Sequence, residues 1–154
     1  MQEFTQEVKV PKMIFIVDDN ETNLAAAKGA LKDNYRVLCM TSAARMFKLL
    51  EQMTPDLILL DIEMPEMNGF EALKLLKDSE RQDHKNIPVV FLTSKGSGVN
   101  VATAVAHGAC DFIVKPFDPI RLQDRVIVHT KGTEKVLSFH TESEEMKRKR
   151  LGLE

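Results

Sequence analysis

The sequence has little of what several classes of protein depend on. Its 154 residues include only two cysteines and no Cys-x-x-Cys pair, which excludes a disulfide framework. Both Cys39 and Cys110 lie in apolar surroundings, so we expect buried thiols in a reducing compartment. No apolar run approaches the roughly 18 residues of a membrane-spanning helix, and the polar first residues lack the apolar core of a signal peptide. We therefore expect a cytoplasmic protein that does not enter a membrane.

Charge and missing motifs narrow the function further. The net charge is −2 and no basic stripe stands out within residues 12–125, so nucleic-acid binding by this region is not indicated. The chain lacks a Gly-x-x-x-x-Gly-Lys-Ser/Thr loop and a Gly-x-Gly-x-x-Gly turn, so nothing local supports nucleotide binding. None of the four histidines forms an i, i+4 pair, which argues against a zinc site.

What the sequence does contain is a regular alternation of short apolar strands and helices. We predict strands at residues 13–17, 35–40, 57–60, 87–92 and 111–114, with helices at 21–31, 43–53, after Asn68, at 99–107 and at 119–130. Five such alternations predict an α/β fold with a parallel, doubly wound sheet. In the 99–107 helix we expect Val101, Ala102 and Val105 to face inward.

The two ends of the chain differ from this middle part. Residues 1–11 are predicted to be a polar N-terminal lead-in to a domain at 12–131. Residues 132–154 are highly charged, which favours a solvated tail or a linker helix. A complete effector domain does not fit after residue 130, so we expect an output domain beyond the C-terminus in a longer protein.

The third predicted strand is the most informative stretch. Leu57 to Leu60 is a continuous apolar run, typical of a strand covered on both faces of a parallel sheet. The run stops at Asp61, where a tight loop containing Pro65 and Gly69 begins. Ligands of α/β folds bind at the carboxyl ends of the parallel strands. Asp61 alone could still be a strand-end solubiliser or a helix cap.

Other predicted strands also end on polar residues. Asp18 and Asp19 follow the first strand, Thr93 follows the fourth and Lys115 follows the fifth. All carboxyl ends of a parallel sheet lie at one edge, so these side chains can converge on Asp61. Clustered carboxylates repel one another but suit Mg²⁺. With a lysine and a hydroxyl beside the phosphoryl oxygens, Asp61 can be an oxygen nucleophile that accepts a phosphoryl group.

These residues stand in motifs that, taken together, are highly specific. They are Val17-Asp18-Asp19-Asn20, Asp61-Ile62-Glu63-Met64-Pro65-Glu66-Met67-Asn68-Gly69, Phe91-Leu92-Thr93-Ser94, Gly108-Ala109 and Lys115-Pro116-Phe117. Over residues 12–131 the chain resembles a response-regulator receiver domain of the two-component signalling family. The resemblance implies a flavodoxin-like five-stranded parallel sheet of order 2-1-3-4-5 with helices on both faces.

The resemblance also implies roles for single residues. Asp61 would accept phosphate from a sensor histidine kinase or a phosphotransfer protein, with Thr93 and Lys115 assisting. Mg²⁺ would be bound directly by Asp19, Asp61 and the backbone carbonyl of Glu63, and through water by Asp18. Thr93 would be the switch hydroxyl and Phe112 the switch aromatic. A cis peptide bond would join Lys115 to Pro116.

The chain departs from the family pattern in two places, and two alternative functions can be weighed against a receiver domain. Ser94 stands where the family usually has a small apolar residue, and Glu63 and Lys95 would flank the phosphate, so the lifetime of the phosphorylated state is not predicted. A phosphate-independent interaction module would have lost one of the five site residues, and none is lost. A Mg²⁺-dependent phosphatase with an aspartate nucleophile would need a second Asp where Glu63 stands, and a cap domain. The kinase, the output and the oligomeric state, including a homodimer, are left open.

Overall fold

The computed structural model describes residues 3–131, 135–142 and 149–152. Contacts divide the chain into two units. The larger unit is Lys12–Thr133, and the smaller one combines Met1–Pro11 with Glu134–Glu154. In the part of the chain described, no helix is long and apolar enough to cross a bilayer.

The larger unit alternates strands and helices along the chain. Its strands are β2 (Met13–Val17), β3 (Arg36–Met40), β4 (Leu57–Asp61), β5 (Val89–Ser94) and β6 (Asp111–Lys115). Its helices are α1 (Glu21–Leu31), α2 (Ala43–Leu50), α3 (Gly69–Lys77), the short α4 (Gln82–Lys85), α5 (Val101–Ala106) and α6 (Pro119–Thr130). Side chains of Asn20, Ser42, Asn68, Asn100 and Asp118 cap five of these helices by accepting a backbone N–H bond, as short polar residues do at helix starts.

The smaller unit differs from the sequence-based expectation. β1 (Glu3–Val10) pairs antiparallel with β7 (Lys135–Glu142), in register from Glu3 opposite Glu142 to Val10 opposite Lys135. A polar lead-in and a tail or linker helix were expected here, and residues 135–142 instead form a strand. The difference arises because the pairing joins segments more than 120 residues apart, and periodicity within one segment cannot reveal such a partner.

The sheet of the larger unit has the predicted topology. Its strands are parallel in the order β3-β2-β4-β5-β6. Counted from β2 as the first strand, this is 2-1-3-4-5, so the flavodoxin-like α/β prediction is confirmed. Since β4 and β2 lie in the interior of the sheet, the carboxyl ends of both are flanked by neighbouring strands.

Alternate residues of the central strands serve two separate cores. Ile14, Ile16, Leu57 and Leu59 pack with residues of α1 and α6 on one face of the sheet. Ile58 and Leu60, with Phe15 and Phe91, pack with residues of α2 and α3 on the other. Each of these side chains is fully buried, which stabilises the fold by about 1.5–3 kcal/mol per large apolar side chain. Both faces are covered, which explains why β4 carries no polar residue before its last position.

Helix α5 corrects one predicted packing face. Val101 and Val105 are 57% and 56% exposed, and Ala102 is exposed as well, whereas Ala104 is buried. The helix begins only after the Asn100 cap and has six residues. Fewer than two turns give too short a pattern to define an inward face.

The prediction of buried cysteines is also wrong. Cys39 and Cys110 are both exposed residues. Cys39 lies on β3 and Cys110 directly precedes β6, which are the two edge strands of the sheet. An edge strand has a neighbour on one side only, so an apolar sequence environment there does not guarantee coverage.

One buried carboxylate ties the far edge of the sheet to its helix. Asp111 at the start of β6 is 7% exposed and accepts hydrogen bonds from the backbone N–H of Phe112 and from Arg125. His129 Nε2 lies 3.0 Å from the same carboxylate. Burial alone would raise the pKa of Asp111, but the contacts with His129, the Phe112 amide and Arg125 outweigh it and lower that pKa.

Asp111→Asn should destabilise the domain by roughly 1–3 kcal/mol at neutral pH, because Arg125 and His129 in α6 lose a buried carboxylate partner. The pKa of Asp111 is lower in the folded than in the unfolded protein. Its contribution is therefore complete above the unfolded pKa of about 3.9 and disappears as the pH falls through the lower folded value. Urea unfolding at several pH values measures this, with exposed Asp124→Asn on the same helix as control. Equal midpoints for the two variants at pH 7 would contradict the prediction.

Candidate functional site

Three carboxylates meet at the carboxyl edge of the sheet. β2 and β4 are neighbours that run in the same direction, so Asp18 and Asp19 after β2 come beside Asp61 at the end of β4. One carboxylate oxygen of each lies within 4.8 Å of the others. Asp18 and Asp61 are 0% and 1% exposed, whereas Asp19 is exposed. The cluster is thus buried at Asp18 and Asp61 and open to solvent on the side of Asp19.

Lys115 supplies the positive charge of this cluster. Its Nζ lies 3.0 Å from Asp61 Oδ1 and 3.3 Å from Asp18 Oδ2. Burial alone would lower the pKa of Lys115, but its hydrogen bond and charge interaction with Asp61, and the charge of Asp18, outweigh it and raise that pKa. The ammonium therefore stays charged. The peptide bond to Pro116 that follows is cis, as the resemblance implied.

The two oxygens of Asp61 have different surroundings. Oδ1 accepts hydrogen bonds from Lys115 Nζ and, at 3.2 Å, from the backbone N–H of Glu63. Oδ2 is buried and has no hydrogen-bond partner, alone among the buried side-chain oxygens and nitrogens of the described residues. Such an atom normally carries a considerable desolvation cost, so its position indicates a ligand or a reacting group.

The ionisation of Asp61 reflects the same environment. Burial raises its pKa to about 7, the negative charge of Asp18 adds to the rise, and Lys115 and the Glu63 amide partly offset it. A strongly perturbed carboxyl group in a cluster of other charged groups is a feature of functional sites. A divalent cation beside Asp61 would favour the ionised form.

The loop after Asp61 is packed tightly against the strand end. The backbone N–H of Gly69 donates to the carbonyl of Ile62 at 2.9 Å. A Cβ at Gly69 would lie 2.6 Å from the carbonyl oxygen of Asp61 and 2.9 Å from Ile62 Cα. Any other residue would collide with backbone there, so the glycine is required for close approach.

The side chains of the remaining predicted residues have other partners than the three carboxylates. Thr93 at the end of β5 is 1% exposed, and its hydroxyl contacts Ser97 Oγ at 2.6 Å rather than a carboxylate. The Glu63 side chain is exposed and accepts a hydrogen bond of 3.2 Å from Ser94 Oγ. Phe112 on β6 is half-buried and packs against the core that contains Phe91.

The contact of Ser97 with Thr93 was not predicted from the sequence. A signal was available, since Gly96 and Gly98 on either side of this serine indicate a sharply folded loop. Both glycines have positive φ, 83° and 78°. A loop folded in this way can return a side chain to the strand end that precedes it.

Comparison with known proteins identifies the family. A family model described as the response regulator receiver domain matches residues 14–127 of this chain. The chain belongs to the receiver-domain family. The match runs from the second residue of β2 through most of α6, and therefore covers all of the residues of the site described above.

Two curated relatives match this chain over only part of their own length. A probable cyclic di-GMP phosphodiesterase of Vibrio cholerae is 37% identical over 116 residues, covering 75% of this chain and 26% of that protein. The transcriptional regulatory protein YvrH of Bacillus subtilis is 36% identical over 122 residues, covering 78% and 49%. The chain thus spans about a quarter to a half of the length of these relatives.

Solved structures agree with the family assignment. The chemotaxis response regulator CheY4 of Vibrio cholerae matches with a TM-score of 0.70 and 26% identity, over 78% of this chain and 99% of that one. A signal receiver domain of a histidine kinase from Syntrophus aciditrophicus matches with a TM-score of 0.70 and 31% identity, over 86% and 96%. Similar receivers thus occur both in separate regulators and in kinases.

Without divalent cations, Asp61→Asn should stabilise the receiver domain at pH 8 by roughly 1–3 kcal/mol, because it removes a buried, incompletely bonded charge. The folded pKa of about 7 lies above the unfolded value of about 3.9. The parent therefore loses stability as the pH rises from about 4 to about 7, and the advantage of the variant should grow over that interval. Urea unfolding in EDTA measures it.

Asp118→Asn is the matched control for this prediction, because it makes the same substitution at the exposed cap of α6, where Asn caps about as well as Asp. Added Mg²⁺ should stabilise the parent more than Asp61→Asn, since a ligand stabilises the state that binds it. An Asp61→Asn variant that is less stable than the parent at pH 8 in EDTA would refute the argument.

Proposed function

We infer that this receiver domain takes a phosphoryl group onto Asp61, with Mg²⁺, from a sensor histidine kinase or a phosphotransfer protein. The observation that carries the proposal is Asp61 Oδ2, a buried oxygen without a partner in a cluster with Asp18, Asp19 and Lys115. A structural ion pair would not leave this oxygen unbonded. An acceptor of a phosphoryl group needs a free oxygen there.

The transfer itself requires few protein groups. A carboxylate oxygen of Asp61 attacks the phosphorus of a phosphohistidine, the P–N bond breaks as the O–P bond forms, and the leaving imidazole takes a proton from solvent. Lys115, held 3.0 Å from Asp61 Oδ1, is near enough to bind a phosphoryl oxygen. Thr93 is the candidate donor to another. The domain is thus a signalling switch that catalyses its own phosphorylation and dephosphorylation, without a separate substrate.

The carboxylate cluster suits the metal that this reaction needs. We infer that Asp19, Asp61 and the backbone carbonyl of Glu63 would hold Mg²⁺ directly and that Asp18 would act through water. The fit rests on hard oxygen donors within 4.8 Å, on the open side at Asp19 and on the unpartnered Asp61 oxygen. A bound Mg²⁺ would neutralise charge on the phosphoryl oxygens. Lys115 meanwhile holds Asp61 through the hydrogen bond to its Oδ1.

The signal would pass through Thr93 and Phe112. Phosphorylation adds a dianionic group at Asp61, and Thr93 at the end of the adjacent strand is the switch hydroxyl. Its movement toward the phosphate would vacate space near Phe91, which lies opposite Phe112 in the register of β5 and β6. Phe112 is half-buried, so it has apolar surface left to bury. Phe112 lacks a hydroxyl, and we therefore infer that packing stabilises the active state.

The partners of the domain follow from its family and from its relatives. Curated relatives include a phosphodiesterase, a transcriptional regulator and a sensor kinase/phosphatase. We infer that this receiver acts on an output region of a longer protein, and a homodimer is compatible with that arrangement. A cytoplasmic location is part of the proposal, because free Cys39 and Cys110 suit a reducing compartment.

Incubation with acetyl phosphate and Mg²⁺ should add one phosphoryl group to the parent protein, measured as intact mass. Asp61→Asn should gain none, because an amide oxygen is a poor nucleophile for phosphorus and forms no stable phosphoryl product. Asp118→Asn should be phosphorylated like the parent. A stable phosphoryl group on Asp61→Asn, or none on the parent, would exclude Asp61 as the acceptor.

Binding of beryllofluoride with Mg²⁺ should change the environment of the Phe112 ring and of α5, because the switch links Asp61 to β5 and β6. NMR spectra of the free and bound protein measure this. The ring of Phe47 on α2, which packs against the same core, serves as internal reference and should move little. Shifts confined to the loops next to Asp61 would show that Phe112 is a static core residue.

A further inference from the structure

We propose that Ser97 is a positioning residue that holds the Thr93 hydroxyl away from Asp61 and so favours the unphosphorylated state of the switch. The proposal rests on the proposed function, because it concerns the hydroxyl that would bind the phosphoryl group. Ser97 belongs to the loop between β5 and α5. It is not one of the five predicted site residues, which are Asp18, Asp19, Asp61, Thr93 and Lys115.

The contact between the two hydroxyls is short and joins a buried threonine to an exposed serine. Thr93 Oγ1 and Ser97 Oγ are 2.6 Å apart, within the range of a strong O–H···O bond. Thr93 is 1% exposed, so its hydroxyl cannot exchange this partner freely for water. The Thr93 hydroxyl also lies 3.5 Å from the carbonyl oxygen of Ser94, at the limit of a hydrogen bond. Ser97 is therefore its main partner.

The loop positions Ser97 by its own backbone. The N–H of Ser97 donates to the carbonyl of Ser94 at 3.3 Å, which closes a four-residue turn. Gly96, the third residue of that turn, has a φ of 83°, the conformation that a type II turn needs at this position and that glycine provides. The N–H of Val99 donates to Ser97 Oγ at 3.2 Å. The backbone N–H and the hydroxyl of Ser97 are thus both hydrogen-bonded within the loop, and the turn directs Ser97 Oγ toward Thr93.

The hydrogen bond competes with the bond to phosphate. A hydroxyl has one proton, so if Thr93 donates to Ser97 it cannot donate to a phosphoryl oxygen at the same time. If Ser97 is the donor instead, movement of Thr93 toward Asp61 still breaks a 2.6 Å contact. The bond is present in one state of the switch only, and an interaction of that kind shifts the equilibrium toward its own state.

Ser97→Ala should therefore tighten the binding of beryllofluoride in the presence of Mg²⁺ by roughly 2- to 10-fold, the effect of one lost hydrogen bond of ordinary strength. Titration followed by NMR gives the midpoint for each variant. The Thr93 methyl signal of free Ser97→Ala should also move toward its position in the bound parent, which a merely structural role of Ser97 would not produce.

Two control variants distinguish the hydrogen bond between Ser97 and Thr93 from a general effect on the loop. Ser97→Thr keeps the hydroxyl and should restore the midpoint of the parent. Ser79→Ala removes a serine whose Oγ accepts the N–H of Arg81 at 3.2 Å, the same local bond that Ser97 makes with Val99, but in a loop without Thr93. Ser79→Ala should bind beryllofluoride like the parent.

The outcomes distinguish this proposal from the proposed function. A parent protein that binds no beryllofluoride would overturn both. If the parent binds beryllofluoride and Ser97→Ala binds it equally or less tightly, the proposed role of Ser97 alone is overturned. Weaker binding by Ser97→Ala would show that Ser97 assists Thr93 instead. Tighter binding by Ser97→Ala together with Ser79→Ala would equally overturn it, because the effect would then not depend on Thr93.

Discussion

The structure depends on one ammonium group that serves two buried carboxylates. Lys115 reaches across the edge of the sheet from β6 to Asp61 and Asp18, which the intervening strand β5 would otherwise separate from it. Burial raises the pKa of Asp61, and the hydrogen bond and charge of Lys115 partly offset that rise. The ammonium does not, however, bond the second oxygen of Asp61. Lys115 therefore stabilises the site and still leaves one oxygen of Asp61 without a hydrogen bond.

The sheet supplies the rigidity on which this unbalanced site is built. Leu57 to Leu60 are fully buried, with helices on both faces of the sheet, so the backbone that carries Asp61 has little freedom to relax away from Asp18. Apolar packing on this scale outweighs the cost of a few uncompensated polar atoms. Natural proteins commonly accept such local costs where function needs them, and here the cost lies at the end of a strand whose four preceding residues are fully buried.

The fold and the acidic cluster could be predicted from the sequence because both follow from local rules. An apolar run that ends on Asp61 predicts a covered parallel strand, and parallel strands bring their carboxyl ends to one edge. The pairing of β1 with β7 could not be found in this way, because it depends on a partner far away in the chain. The six residues of α5 were too few to define the side that faces the sheet. The contact of Ser97 with Thr93 depends on the dihedral angles of a turn, which residue types only suggest.

The absence of a side chain at Gly69 also has a consequence for how movement spreads. The backbone at Asp61 and Ile62 lies so close to the first residue of α3 that no Cβ fits between them, and the Gly69 N–H bonds the Ile62 carbonyl. Seven residues lie between Asp61 and Gly69 in the sequence, yet their backbones are neighbours in the fold. A displacement of the Asp61 carbonyl of even a few tenths of an ångström has to be absorbed by the start of α3. The close approach at Gly69 thus couples the end of β4 directly to the start of α3.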